Sequence, residues 1–277
     1  MSVRVRLDRE LVRRGLLPSR EQALAAIAAG RVRVGGQPAD KPARGVAGDE
    51  LIELSDGDDP GYASRGAYKL AGAIEVFGAD PSPLRVSGRR CLDAGASTGG
   101  FTDVLLREGA REVIAVDVGY GQLIWRLQND PRVTVVDRTN VRHLSAEDIG
   151  GRVELVVADL SFISLRLVLP ALVACVDPDG DLVVLVKPQF EVGREQVGRG
   201  GVVRDPQLRG AAISGVVEAA GELGFGVRGL VQSSLPGPAG NLEYMLWLAA
   251  SGGPLSVELL KAAVSPVQPG HEGSEHP

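Results

Sequence analysis

The chain has 277 residues, of which 44% are apolar and 23% charged, with a formal net charge of -5, which fits a globular protein with one large core and a small second domain. No apolar run reaches the ~20 residues that a bilayer-spanning helix needs, and no apolar segment follows the basic start MSVRVRLDRELVRRG, so a cytoplasmic location is expected rather than export or a membrane span. Cys91 and Cys175 sit singly in apolar segments and two of the three histidines fall in the tail, so neither a disulfide framework nor a metal centre is expected.

The net charge conceals a division along the chain. Residues 1–45 hold ten Lys/Arg against four Asp/Glu, a local balance of +6, whereas residues 46–60 hold six acids and no basic residue. Phosphate attraction acts over a Debye length, ~8 Å at physiological salt, so a basic segment can grip a polyanion even on an acidic chain. In that segment Leu7, Leu11 and Val12 share one face of a helix that stops at Gly15. A second helix opens with the capping box Ser19 to Gln22 and runs to Gly30. RVRVGGQPA and DELIEL then read as short strands. The stretch SREQALAAIAAGRVRVGG resembles the small S-four-type RNA-binding module of a ribosomal small-subunit protein and of many pseudouridine synthases. The resemblance implies an RNA-binding domain over residues 1–59, with Arg4, Arg6, Arg20 and Lys41 as the expected phosphate contacts.

SDGDDPGYA has the composition of a linker, placed at residues 60–63 between the domains. Ser64 is expected to cap a helix over SRGAYKLAGAIEVFG, with Leu70, Ala73, Ile74 and Phe77 facing inward and Lys69 off that stripe. From there strands (RRCLDAG, EVIAVDVG, VELVVADL, DLVVLVK, LEYMLWLA) are separated by helical stretches. Apolar strands between helices predict an α/β domain over residues 64–250, a Rossmann-like parallel sheet covered on both faces. Residues 251–277 are expected to add one short helix and a partly disordered tail.

Ligands of such sheets sit beyond the carboxyl ends of the strands. In CLDAGASTGGF a strand ends at Asp93, a turn runs through Gly95, Ser97, Thr98 and Gly99, and a helix opens near Gly100 and Phe101. Ser97 stands where a dinucleotide fingerprint has its second glycine, which disfavours a nicotinamide-dependent oxidoreductase. An acid at Asp93 suits instead a ligand with an ammonium and a sulfonium, as in S-adenosylmethionine, and Asp117 at the end of AVDVG suits ribose hydroxyls. Asp159 and Lys187 fall at two further strand ends, and an antiparallel last strand would bring Glu243 to the same edge, where Lys69 could join them. Two lysines and two carboxylates can draw the proton from a ribose hydroxyl, a poor nucleophile otherwise; a structural ion-pair cluster is the other reading of the four.

SRGAYKL, CLDAGASTGGFT, VDVGYGQL, RTNVR, VVADLSFISL, LVKPQFEVG, GGVVRDP and PGPAGNLEYMLWL, in this order behind the basic module, closely resemble the TlyA family. That resemblance implies an FtsJ-like methyltransferase domain, S-adenosylmethionine as cofactor, and a ribosomal RNA cytidine 2'-hydroxyl, in 16S or 23S rRNA or both, as substrate. It implies a Lys-Asp-Lys-Glu tetrad matched by Lys69, Asp159, Lys187 and Glu243, with rRNA or ribosomal subunits as partners and no metal. Arg65, Arg138 and Arg194 are expected near the catalytic mouth, and Phe162 is either a platform for an unstacked base or a core residue. The family also carries haemolysin names, so a membrane-active protein and a non-catalytic ribosome-binding protein are the rival readings. One departure is the family's Arg-x-Trp-Val before SRGA, replaced here by Pro60, Gly61, Tyr62 and Ala63.

Overall fold

The chain divides into two units, residues 1–61 and 62–277. The computed structural model describes residues 4–28, 31–39, 41–54, 61–237 and 239–265. Gly30, Pro60 and the tail from 266 onward therefore lie outside the described residues.

The first unit runs β1 (Val5–Arg6), α1 (Leu7–Arg13), α2 (Arg20–Ala28), β2 (Val32–Val34), β3 (Gln37–Pro38), β4 (Gly45–Val46) and β5 (Ile52–Leu54). β1 pairs with β4, and β2 lies between β3 and β5, all antiparallel. Leu7 and Leu11 from α1, Ala23 and Ile27 from α2, and Val32, Val34 and Val46 fill its core. The side chain of Ser19 accepts the Gln22 N–H at 3.2 Å, the N-terminal bond expected of the capping box.

The second unit continues with α3 (Ala67–Gly78), β6 (Arg90–Ala94), α4 (Gly100–Arg107), β7 (Glu112–Val116), α5 (Trp125–Gln128), β8 (Val133–Val136), β9 (Val153–Ala158), α6 (Leu165–Cys175), β10 (Val176–Val186), α7 (Pro188–Glu191), α8 (Pro206–Glu222), β11 (Gly226–Gln232), β12 (Tyr244–Ala249) and α9 (Val257–Val264). Its seven-stranded sheet has the order β11-β12-β10-β9-β6-β7-β8. β10, β9, β6, β7 and β8 run parallel, and β12 is inserted antiparallel between β10 and β11. Residues such as Leu92, Val156 and Val184 are fully buried because helices cover both faces of the sheet. Leu169, Val216 and Ala263 of α6, α8 and α9 belong to one core cluster; Leu70, Leu105 and Leu127 of α3, α4 and α5 belong to the other.

Three details differ from expectation. Ser64 is not the helix cap: α3 begins at Ala67 behind Gly66, which makes no side-chain capping bond, and Ser64 closes a turn through its carbonyl, 3.1 Å from the Ala67 nitrogen. Two strands, β8 and β11, carry no strong strand pattern because they are the sheet edges. β8 is short and half-exposed, and β11 (GVRGLVQ) contains two glycines and an arginine. Among the described residues no helix is long and apolar enough to cross a membrane, and no group of His, Cys, Asp and Glu is arranged to hold a metal.

Candidate active site

The ladder registers decide what meets at the carboxyl edge of the sheet. Val184 of β10 pairs with Ala158 of β9, and Val186 of β10 pairs with Tyr244 of β12. Asp159, Lys187 and Glu243 are each the next residue beyond those strands, on one edge. Lys187 Nζ lies 2.6 Å from Asp159 Oδ1, and Lys69 Nζ, from α3, lies 2.5 Å from Glu243 Oε2. A Cβ on Gly66, the residue before α3, would stand 3.8 Å from Asp159 Oδ2, so the start of α3 lies against the first pair while carrying the lysine of the second. Lys69, Lys187 and Glu243 are buried and Asp159 is half-buried. Removing one partner of such a pair strands a charge at a cost of about 3–5 kcal/mol, so each lysine needs its acid. Ser161 escaped the sequence reading, yet its Oγ accepts a hydrogen bond from Lys187 Nζ at 2.9 Å; it stands two residues after Asp159, the only signal that marks it.

The glycine-rich turn lies on the same edge. Asp93 stands at the strand end, as expected, and is fully buried beneath the turn. Thr102 Oγ1 donates to its Oδ2 at 2.6 Å, while its Oδ1 has no hydrogen-bond partner among the described residues. Burial pushes its carboxyl up to about 7 despite the opposing Thr102 bond. An orphaned buried oxygen costs about 1–3 kcal/mol, which a cationic ligand group reaching it would offset. Gly95, at φ +89°, admits no side chain, since a Cβ there would sit 2.7 Å from the Asp159 carbonyl oxygen. Ser97 donates its N–H to Asp117 Oδ2 at 2.9 Å, and Gly119 donates to Asp117 Oδ1 at 2.7 Å. Each carboxylate oxygen can accept a second bond, so Asp117 keeps capacity for a hydroxyl. The Thr98 carbonyl accepts the Ile124 N–H, and Gly99, at φ +100°, precedes α4, which Gly100 opens. Phe101, next in α4, is buried in the core cluster with Ala67 and Leu70. A third acid, Asp137, follows β8 and accepts the Gly121 N–H at 2.9 Å. It was missed because its strand was missed.

The FtsJ-like methyltransferase family model matches residues 62–250, and the S4 domain model matches residues 5–52. A Mycobacterium tuberculosis protein named 16S/23S rRNA (cytidine-2'-O)-methyltransferase TlyA is 59% identical over 248 residues, covering 90% of this chain and 91% of that protein. The chain belongs to the TlyA family of FtsJ-like methyltransferases. Hemolysin A of Brachyspira hyodysenteriae is 35% identical over 242 residues, with 87% of this chain and 98% of that protein covered. A solved structure from Streptococcus thermophilus, described with the word hemolysin, superposes with a TM-score of 0.73 at 38% identity and covers 95% of each chain.

In this TlyA-family chain the expected RNA contacts fall into different situations. Arg65 is exposed, and Arg138, at φ +55°, stacks its guanidinium 4.2 Å from the centroid of Tyr120. Phe162 is 91% exposed, which overturns the core-packing reading; at φ +65° it leans on Phe190, with ring centroids 5.3 Å apart. Arg194 opens a short 3-10 turn, and its side chain lies outside the described ones. In the first unit Arg4 and Lys41 are exposed. Arg6 and Arg20 are not free hooks: both grip the buried Asp8, Arg6 Nε 3.0 Å from Oδ1 and Arg20 Nε 2.9 Å from Oδ2. Their side chains stay 43% and 56% exposed, so part of each guanidinium fork still faces solvent. At the departure from Arg-x-Trp-Val, Tyr62 packs edge-on against Tyr68 beneath the Arg107 guanidinium, and Ala63 donates its N–H to Asp103 at 2.8 Å. Of the divergent residues, Tyr62 and Ala63 are thus held within the methyltransferase unit.

Proposed function

We propose that this chain transfers a methyl group from S-adenosylmethionine to the ribose 2'-hydroxyl of a cytidine in 16S or 23S rRNA, or both. The observation that carries the reading is the pair of buried lysine–carboxylate contacts, Lys187 with Asp159 and Lys69 with Glu243, beside the turn that covers the orphaned oxygen of Asp93.

The bound cofactor supplies an electrophilic methyl on its sulfonium. Asp93 is suited to its ammonium, Asp117 to its ribose hydroxyls, and the turn Gly95, Ser97, Thr98, Gly99 and Gly100 to close backbone approach. Lys187 is the group placed to take the proton of the 2'-hydroxyl, which would accept the methyl that the cofactor supplies when bound. Asp159 then neutralises the ammonium on Lys187. Lys69 and Glu243 orient the ribose, and orientation alone can remove ~7–11 kcal/mol of barrier. Residues 1–59 hold rRNA through Arg4, Arg6, Arg20 and Lys41, joined by the linker 60–63 to the catalytic domain 64–250, with 251–277 as an extension. Arg65, Arg138 and Arg194 continue the basic path, and Phe162 supports the unstacked target base. Such a substrate places the protein in the cytoplasm.

The test is transfer of tritiated methyl from S-adenosylmethionine to purified ribosomal subunits from cells lacking such an enzyme. Incorporation into cytidine by the wild-type protein is expected. A folded, cofactor-binding protein that labels neither subunit would sink the proposed substrate, and leakage of lipid vesicles by that protein would favour the haemolysin reading.

A further inference from the structure

Two segments meet beside Lys187: residues 159–165, from the end of β9 to the start of α6, and residues 187–191, which lead from β10 through α7. Three contacts lace them together in order. Lys187 Nζ donates to Ser161 Oγ at 2.9 Å. The Phe162 ring leans on Phe190, with centroids 5.3 Å apart. The buried Glu191 accepts the Ser164 hydroxyl at 2.6 Å on Oε2 and the Leu165 N–H at 2.7 Å on Oε1. Between the first and last of these contacts Phe162 holds φ +65°, a conformation that a bulky residue keeps only where its surroundings over-determine it.

The Lys187 nitrogen offers three directions beyond its own Cε. Ser161 Oγ takes one of them as a hydrogen-bond acceptor at 2.9 Å, and Asp159 Oδ1 stands 2.6 Å away as an ion-pair partner, which leaves the remaining side for a substrate oxygen. We propose that Ser161 is a positioning residue for methyl transfer: with Asp159 it fixes the Lys187 amine so that its remaining side meets the 2'-hydroxyl, and through the same bond it ties Lys187 to the strained backbone presenting Phe162. The Ser161 bond and the Asp159 pairing then hold two sides of the nitrogen, and its remaining side is the one open to the hydroxyl. The inference rests on the reading of Lys187 as the group that takes that proton. Ser161 itself is exposed, and Lys187 is its side chain's hydrogen-bond partner among the described residues, so its loss removes one directed contact and little core packing.

The experiment compares full-length wild type, Ser161→Ala, Ser161→Thr and Lys187→Met in methyl transfer to ribosomal subunits, alongside cofactor affinity, RNA affinity and melting temperature. Ser161→Ala is expected to lower kcat by about tenfold or more, with KM for both substrates within about twofold and the melting temperature nearly unchanged. Ser161→Thr, which keeps the hydroxyl at an exposed position, is expected to restore most of kcat. Full turnover by Ser161→Ala beside an inactive Lys187→Met overturns the role of Ser161 alone. A rise in KM with unchanged kcat overturns it as well, since that pattern belongs to a binding contact. Turnover by Lys187→Met would instead remove the reading beneath it.

Discussion

Both units of the chain pair cations with acids, but among the described residues only the second buries the cation of a pair as well. In the first unit the carboxylates are buried and Arg6, Arg13 and Arg20 stay exposed: Asp8 holds Arg6 and Arg20, and Glu10 holds Arg13 together with Arg14, whose guanidinium also donates to the Glu50, Ala47 and Gly48 carbonyls. In the second unit Lys69 and Lys187 are themselves buried against Glu243 and Asp159. The difference follows from the task each arrangement suits. An exposed fork anchored at one edge can still offer N–H groups to phosphate and loses little to desolvation. A buried amine is shielded from water, so its proton and its direction are set by neighbours rather than by solvent.

That contrast breaks most clearly at Lys187. Lys187→Met is expected to reduce methyl transfer by about 1000-fold or more, as loss of a group acting on the reacting atom does. Cofactor affinity, measured by calorimetry, should stay within about threefold; retained turnover defeats the assignment. Asp93→Asn is next in size. Losing a charge-assisted bond of about 1.5–3 kcal/mol should weaken S-adenosylmethionine binding by about 10- to 100-fold.

Asp93 also carries a pH signature of defined sign. Its folded pKa is raised to about 7 by burial, so its contribution to stability is present in full below about pH 4 and is lost as pH rises through about 7 in the cofactor-free protein. Asp93→Asn should therefore raise the melting temperature of the cofactor-free protein at pH 8 relative to wild type. In wild type, cofactor affinity should strengthen from pH 6 to pH 8 as the carboxyl ionises. Identical melting curves for the two proteins across pH 5 to 8 would contradict the buried, orphaned carboxylate.

The outward-facing pairs should respond to salt instead. Replacing Arg6 and Arg20 together by Ala is expected to weaken rRNA binding and to flatten the log–log salt dependence by about 1.4, at ~0.7 per single-strand phosphate contact. An unchanged slope would mean that both arginines serve Asp8 alone. Asp8→Asn should show the smallest effect, with RNA affinity within about threefold, because the forks stay exposed. Its mark is in acid. The Arg6 hydrogen bond, reinforced by Arg20, lowers the Asp8 carboxyl to about 2 against the cost of burial. Stability from Asp8 is present above about pH 4 and lost as pH falls toward 2. The variant should lose part of that acid dependence, and an unaltered acid limb in urea titrations would argue that Asp8 is not held as described.

What could be read along the chain was whatever rests on neighbouring residues. The central strands announced themselves as apolar runs because β6, β9, β10 and β12 are covered on both faces, and their ends carried Asp159, Lys187 and Glu243 in legible positions. The edge strands β8 and β11 did not, since most of their residues are only partly buried and no continuous apolar pattern is required of them. With β8 went Asp137.

The sequence by itself determined the order of these parts: a basic helix–helix–strand module, a glycine-rich turn after Asp93, and acids and lysines placed at successive strand ends. Those features follow from backbone periodicity and turn chemistry, which act over a few residues. Tertiary structure alone decided the rest. Antiparallel insertion of β12 sets Tyr244 against Val186 and so brings Glu243 level with Lys187, 56 positions away along the chain. Packing of α4 buries Asp93 under the turn that precedes it, and closure of the small unit draws Arg20 onto the carboxylate already held by Arg6. Each depends on which surfaces leave water together, a property of the assembled core that no local window contains.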